Sequence, residues 1–123
     1  MERFSFASEV AFVPRGDLLD GVTVAPLTTS LFEGSPFQAA IFRFASGGRL
    51  IRHPATLPQI FAVLDGSGEV SGADGVGKPI AAGEAVFWIE GEEHEVNSAV
   101  GLTALIIEGE HVDRFRERPK AAP

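Results

Sequence analysis

Few residues in this chain can carry chemistry. Of its 3 histidines, His53 and His94 each sit in a glycine-punctuated segment, and His111 lies near the tail. His53 follows Gly47 and precedes Gln59, the apolar run IFAVL and the turn Asp65-Gly66-Ser67-Gly68. His94 follows Gly83, the run AVFWI and the turn Glu90-Gly91, and Asn97 comes soon after it. Imidazoles suit zinc, iron, copper and nickel, and a glutamine offers a neutral carbonyl oxygen. Plainer roles compete with each. His53 could be a hydrogen-bonded histidine before Pro54, and His94, among Glu92, Glu93 and Glu95, an imidazolium in a solvated acidic turn. His111 has no partner at metal-ligand spacing and reads as a surface residue. With no cysteine or tyrosine, thiolate metal sites, disulfides and phenolic acid–base groups are excluded. No nucleophile-elbow, phosphate-loop or dinucleotide signature is present.

The elements that must position these residues are those of a small β protein. A chain of 123 residues makes one domain. It buries roughly two thirds of its unfolded surface, enough for a core without staples. With 45% hydrophobic and 22% charged residues the composition is that of a globular protein. A net charge of −7 disfavours nucleic-acid backbones and anionic membrane surfaces as partners. The polar N-terminus MERFSFASE does not read as a signal peptide, no apolar run is long enough to span a bilayer, and the missing cysteine fits a reducing cytosol, so a cytoplasmic location is expected. The 14 glycines and 8 prolines argue for many turns and an all-β chain.

Strands are expected around Phe4–Phe6, at Val10–Val13, at Val22–Thr28 with Pro26 demoting it to an edge, and at Gln38–Phe44. Ser46-Gly47-Gly48 should break that last strand, and Gly34-Ser35-Pro36 should turn. Arg49–His53 is extended, and Ile60–Leu64 reads as a strand buried on both faces. Glu69–Ser71 and Lys78–Ile80 bracket a hairpin loop at Gly72–Gly75, and Ala85–Ile89, His94–Asn97 and Leu102–Glu108 complete the set. A short helix is expected over 112–118, with one domain spanning 1–118 and a frayed tail at 119–123. Roughly ten short strands imply a two-sheet jelly roll or small barrel.

The two histidine segments resemble the motifs of the cupin superfamily. Gly47, His53, Gln59 and Gly66 fall on the spacing of the first motif. Ala55 stands where its second histidine belongs, and Gln59 where its glutamate belongs. In a second register Ile51 replaces the first histidine; either leaves His53 facing inward, because side chains two apart share a face. Gly83, Gly91 and His94 fall on the second motif, with Ile89 in place of a proline and Ser98 where an asparagine is expected. The resemblance implies an all-β, double-stranded β-helix or jelly-roll barrel. It implies that His53, Gln59 and His94 converge in the barrel mouth around a divalent metal such as Zn, Ni, Fe or Mn. Three protein ligands plus solvent make an open site. A donor set that is neutral throughout would favour an anionic ligand and Lewis-acid chemistry. Glu93 or Glu95 could add a carboxylate only if the loop folded inward, and both read as solvent-facing. Phe42, Phe61, Phe87 and Trp88 could line a substrate pocket or fill the core. The function so implied is binding of a small polar or anionic organic molecule at a metal, as in an isomerase, cyclase or oxygenase. The alternatives are a metal-free binding or sensing module and a structural dimerisation module. Small cupins look homodimeric, and terminal strands such as Val10–Val13 could pair across a two-fold axis.

Overall fold

The computed structural model describes residues 1–29 and 37–116. The turn expected at Gly34-Ser35-Pro36 and the tail at 119–123 lie outside them. The described chain carries a short 3-10 turn at Ser8–Val10 and seven strands: β1 (Leu19–Pro26), β2 (Phe37–Pro54), β3 (Gln59–Ser71), β4 (Lys78–Ala81), β5 (Ala85–Trp88), β6 (Glu93–Ser98) and β7 (Leu102–Gly109). All pairings are antiparallel.

Two long strands organise the barrel. The first half of β2 pairs with β7, and its second half with β6. The first half of β3 pairs with β7 and β5, and its second half with β6 and β4. Each long strand therefore passes from one sheet to the other. This corrects the expectation of about ten short strands: Ser46-Gly47-Gly48 bends β2 rather than ending it. Gly47 takes a φ of 82°, a left-handed turn open to a residue without Cβ. β1 pairs with β2 at the end of the strand order, where the missing N–H of Pro26 is tolerated.

Alternation along the strands supplies the core. Phe61 and Val63 of β3 point inward with Leu102, Ala104 and Ile106 of β7 and Val96 of β6. Phe61 and Val96 are 0% exposed, and burial of such a side chain stabilises by about 1.5–3 kcal/mol. Phe61 meets Phe44 edge-on, with ring centroids 6.0 Å apart. Ile60–Leu64 is therefore not buried on both faces, since Leu64 points to solvent. The periodicity of two wins over the continuous apolar run because β3 has only one face in the barrel.

Two terminal expectations also change. Phe4–Phe6 is not a strand, and in Val10–Val13 only Phe12 bridges, to Val24. The segment after β7 is irregular over 112–116, with no helix there, and 117–118 lie outside the described residues. The Arg114 backbone N–H and the Arg116 guanidinium both donate to Asp113, satisfying its carboxylate locally. Among the described residues no helix is long and apolar enough to cross a membrane.

The closest backbone approach falls at Gly66, where β3 crosses the β6–β7 turn. Its φ is 79°, and a Cβ there would stand 2.8 Å from Leu102 Cα and nearer still to Gly101 O. Gly75 has a similar φ of 71° but open space around it. Gly66→Ala should therefore cost more stability than Gly75→Ala, for which about 1 kcal/mol of backbone strain is expected. Urea denaturation of both variants checks this; equal losses would mean that the β3 crossing is not tight.

Candidate functional site

The end of β2 and the start of β6 lie side by side, with His53 opposite His94. A register shift between Leu50 and His53 lets β2 turn at this point while Leu50 still faces the core. Pro54 ends the strand, and the next residue, Ala55, exchanges two main-chain hydrogen bonds with the turn before β6. Its N–H donates to Glu92 O at 2.9 Å, and its carbonyl accepts from Gly91 N at 2.7 Å. Ala55, in place of the histidine the motif expects, is buried.

The two rings meet, with centroids 4.5 Å apart and planes at 51°. His53 Nδ1 lies 2.6 Å from the carbonyl of Ile51, and His94 Nδ1 lies 3.1 Å from the carbonyl of Glu92. A carbonyl only accepts, so each Nδ1 carries the hydrogen, and a ring in its neutral form would present Nε2 as a lone pair. His94 is 1% exposed, and its Nε2 has no hydrogen-bond partner. Trp88 stacks on the same ring at 4.5 Å.

Gln59 opens β3 between β5 and β7, opposite Trp88 on one side and Glu108 on the other. Its Nε2 donates to Glu108 Oε2 at 3.0 Å, and its Oε1 is buried without a partner. The structure thus brings His53 and His94 into contact and sets Gln59 beside them through Trp88, and two buried acceptors, His94 Nε2 and Gln59 Oε1, have no partner. Buried polar atoms without partners are uncommon; Arg43 Nη1 is another among the described residues, and each such atom calls for a partner such as a water or an ion. The donor set fits a divalent cation of the borderline class, through two imidazole nitrogens and one amide oxygen. A carbonyl bond to Nδ1 is also the kind of contact that orients a histidine for metal binding. Among the described residues no group of three or more His, Cys, Asp or Glu could hold a metal; the third donor here is an amide.

Glu108 was not foreseen. The signal was present: Leu102, Ala104, Ile106 and Glu108 lie two apart on β7, and the first three are buried in the core. A carboxylate ending such a series faces the barrel interior. Spacing motifs do not register it, because its neighbour Gln59 is adjacent through pairing and not through sequence. The two glutamates considered earlier lie elsewhere. Glu93 is exposed, while Glu95 accepts from Ser71 Oγ and pairs with Arg52 at 3.8 Å. Glu92 instead locks the acidic turn, accepting the N–H groups of Ile89 and Ala73. Ser98, at the expected asparagine position, ties β6 to β3 by donating to Ser67 O at 2.7 Å and accepting from Gly101 N. His111 is exposed beyond β7.

The aromatic residues divide by position. Phe61 is core, and Phe42 packs against it. Phe87 and Trp88 line a cleft of about 440 Å³ with Val70, Asp74, Lys78 and Glu92. That cleft adjoins the histidine pair through Trp88 and Glu92. His53, Gln59 and Glu108 are each half-buried.

Burial sets the electrostatics. Desolvation lowers the His94 pKa below 6.5 against the raising effect of its bond to Glu92 O. Desolvation raises the Glu108 pKa above 4.5, opposed by the Gln59 hydrogen bond and by His53. Folded His94 therefore binds fewer protons than unfolded, so its contribution to stability is full above pH 6.5 and is lost as pH falls through its folded pKa. Folded Glu108 binds more, so its contribution is full below pH 4.5 and is lost as pH rises through its folded pKa. In chelator-treated protein, Glu108→Gln should consequently gain thermal stability over wild type at pH 7 and show no gain below pH 4.5. Melting curves of both proteins across pH 4 to 8 read this out; a gap independent of pH would deny the raised carboxyl.

A scan against family models finds no match, and a comparison with curated proteins finds none. Solved structures do match. The polyketide cyclase RemF from Streptomyces resistomycificus is 22% identical with a TM-score of 0.74, over 90% of this chain and 80% of that one. An RmlC-like cupin from Shewanella frigidimarina is 21% identical with a TM-score of 0.70, over 89% and 92%. A Cupin 2 conserved barrel domain protein from Salinispora arenicola is 19% identical with a TM-score of 0.69, over 90% of both chains. Identities this low carry the architecture alone, and on that ground the chain folds as a cupin-type jelly-roll barrel.

Proposed function

We propose that this barrel binds a small polar or anionic organic molecule at a divalent metal ion held by His53 Nε2, His94 Nε2 and Gln59 Oε1. The observation that carries the reading is the pairing of His53 with His94 through rings 4.5 Å apart, both locked with Nδ1 on a backbone carbonyl. The unpartnered His94 Nε2 and Gln59 Oε1 lose hydration on burial, a cost that a bound ion would offset. When bound, such an ion supplies a Lewis acid that polarises a carbonyl or acidifies water. The chain's own residues hold the geometry. Trp88 backs the His94 ring, and His53, Gln59 and Glu108, each half-buried, form the side from which a ligand would enter. One of the solved structures with this fold is a polyketide cyclase, and isomerisation or cyclisation of a carbonyl compound is the reaction class that Lewis-acid chemistry would serve here.

Metal analysis of purified protein tests the reading. Wild type should carry about one equivalent of a transition metal, bound through three protein ligands. His53→Ala and His94→Ala should each lose it while keeping the β fold by circular dichroism. Metal retained in both variants, or absent from wild type reconstituted with zinc, nickel, iron and manganese in turn, would overturn the site.

A further inference from the structure

Resting on the metal reading above, we infer that Glu108 is a positioning residue: it turns the Gln59 amide so that the carbonyl oxygen faces the imidazoles, and it supplies the negative charge that the ligand set lacks. The sequence implied a donor set that is neutral throughout. The fold instead places a carboxylate directly behind the third donor.

The register makes the contact unavoidable. Gln59 and Glu108 are opposite residues on β3 and β7, and Gln38 of β2 stands opposite Glu108 on its other side. The next inward row, Phe61 with Ile106, is core, so both polar side chains sit one step outside the apolar packing and face the same interior. A carboxylate oxygen accepts and an amide NH2 only donates, so the pair can form in one orientation of the amide. Gln59 Nε2 takes Glu108 Oε2 at 3.0 Å, and Gln59 Oε1 is left buried and unpartnered. An amide free to flip would present NH2 to a cation half of the time and oppose binding; the carboxylate removes that state. Charge works in the same direction, because a carboxylate one hydrogen bond away polarises the amide and strengthens its oxygen as a donor. Such outer partners typically alter metal affinity by about 10–100-fold.

The test uses cobalt(II) added to chelator-stripped, full-length protein. The chain has 1 tryptophan and no tyrosine, so its intrinsic fluorescence comes from Trp88, the ring stacked on His94. Quenching of that emission gives the affinity, and the cobalt visible spectrum gives the ligand set. Glu108→Gln, which keeps an acceptor oxygen but removes the charge, should weaken binding about tenfold, and Glu108→Ala, which also frees the amide, about a hundredfold. The exchanged pair Gln59→Glu with Glu108→Gln should bind at least as tightly as wild type, because it moves the carboxylate into the ligand position and leaves an amide to hold it. Restoration by the exchange separates positioning from mere packing, which the exchange would not repair. Wild-type binding with unchanged affinity in Glu108→Ala overturns this inference and leaves the metal reading standing. Failure of the exchanged pair to recover, with folding intact by circular dichroism, also overturns it. No binding by wild type overturns the metal reading, and this inference with it.

Discussion

The site depends on one constraint, the fixing of two imidazole tautomers by the backbone. Each histidine gives its Nδ1 hydrogen to a carbonyl two residues back along its own chain, Ile51 for His53 and Glu92 for His94. The donor is consumed locally, so the lone pair has to point away from the strand and into the barrel. A single histidine so arranged would be unremarkable. Two on adjacent strands, pressed together at 4.5 Å with the second ring almost wholly buried, concentrate acceptors where solvent cannot satisfy them. Each buried acceptor left unpaired opposes folding by about 1–3 kcal/mol. The surrounding core has to offset that, and it can: Phe61, Val96 and Trp88, all buried, pack at or beside the site.

The geometry of the long strands explains how the two imidazoles meet and why Gln59 lies on the same interior side as Trp88, the ring stacked on His94. β2 and β3 each run through both sheets, so a residue near the end of one and the start of the other can share an interior although their hydrogen-bond partners differ. His53 gains its neighbour through β6, and Gln59 gains Trp88 through β5 and Glu108 through β7. Trp88 then closes the circuit by stacking on His94. From Glu108 through Gln59, Trp88 and His94 to His53, every step is a strand pairing or a ring contact. No loop places any of these side chains, which favours a rigid constellation.

This circuit also marks what sequence could reveal and what it could not. Gly47, Gly66, Gly83 and Gly91 were legible because a physical demand lies behind their spacing: all four adopt positive φ, where only glycine is unstrained. The inward-facing His53 and the pairing loop at Gly72–Gly75 were legible by alternation and turn chemistry. The bend at Gly47 was misjudged as a strand end, because a glycine pair breaks local propensity whether the chain stops or merely turns. Glu108 was lost for another reason. Its meaning comes from the β3–β7 register, a long-range property, and nothing adjacent in sequence announces Gln59 as its partner. Ile60–Leu64 failed similarly: composition suggested two buried faces, but barrel closure assigned it one.

The same acceptor geometry weighs on the question of a metal-free ligand. His94 Nε2 and Gln59 Oε1 lack partners, and with both Nδ1 hydrogens committed, neutral rings would offer no donor to the interior. A bare anion brought among lone pairs, beside the Glu108 carboxylate, would be repelled by all of them. A ligand binding without metal would therefore have to be rich in donors, an ammonium or a polyol, and it would need to reach a ring that is 1% exposed. A compact divalent cation, as proposed, would ask less: it needs lone pairs and not donors, and it is smaller than an organic group. It also reverses the sign of the field at the mouth, so that an anionic substrate group is attracted to the side that Glu108 alone would turn away. The proposed anionic ligand and the proposed metal therefore stand or fall together, because neutral imidazoles and an amide oxygen give the first no attraction without the second.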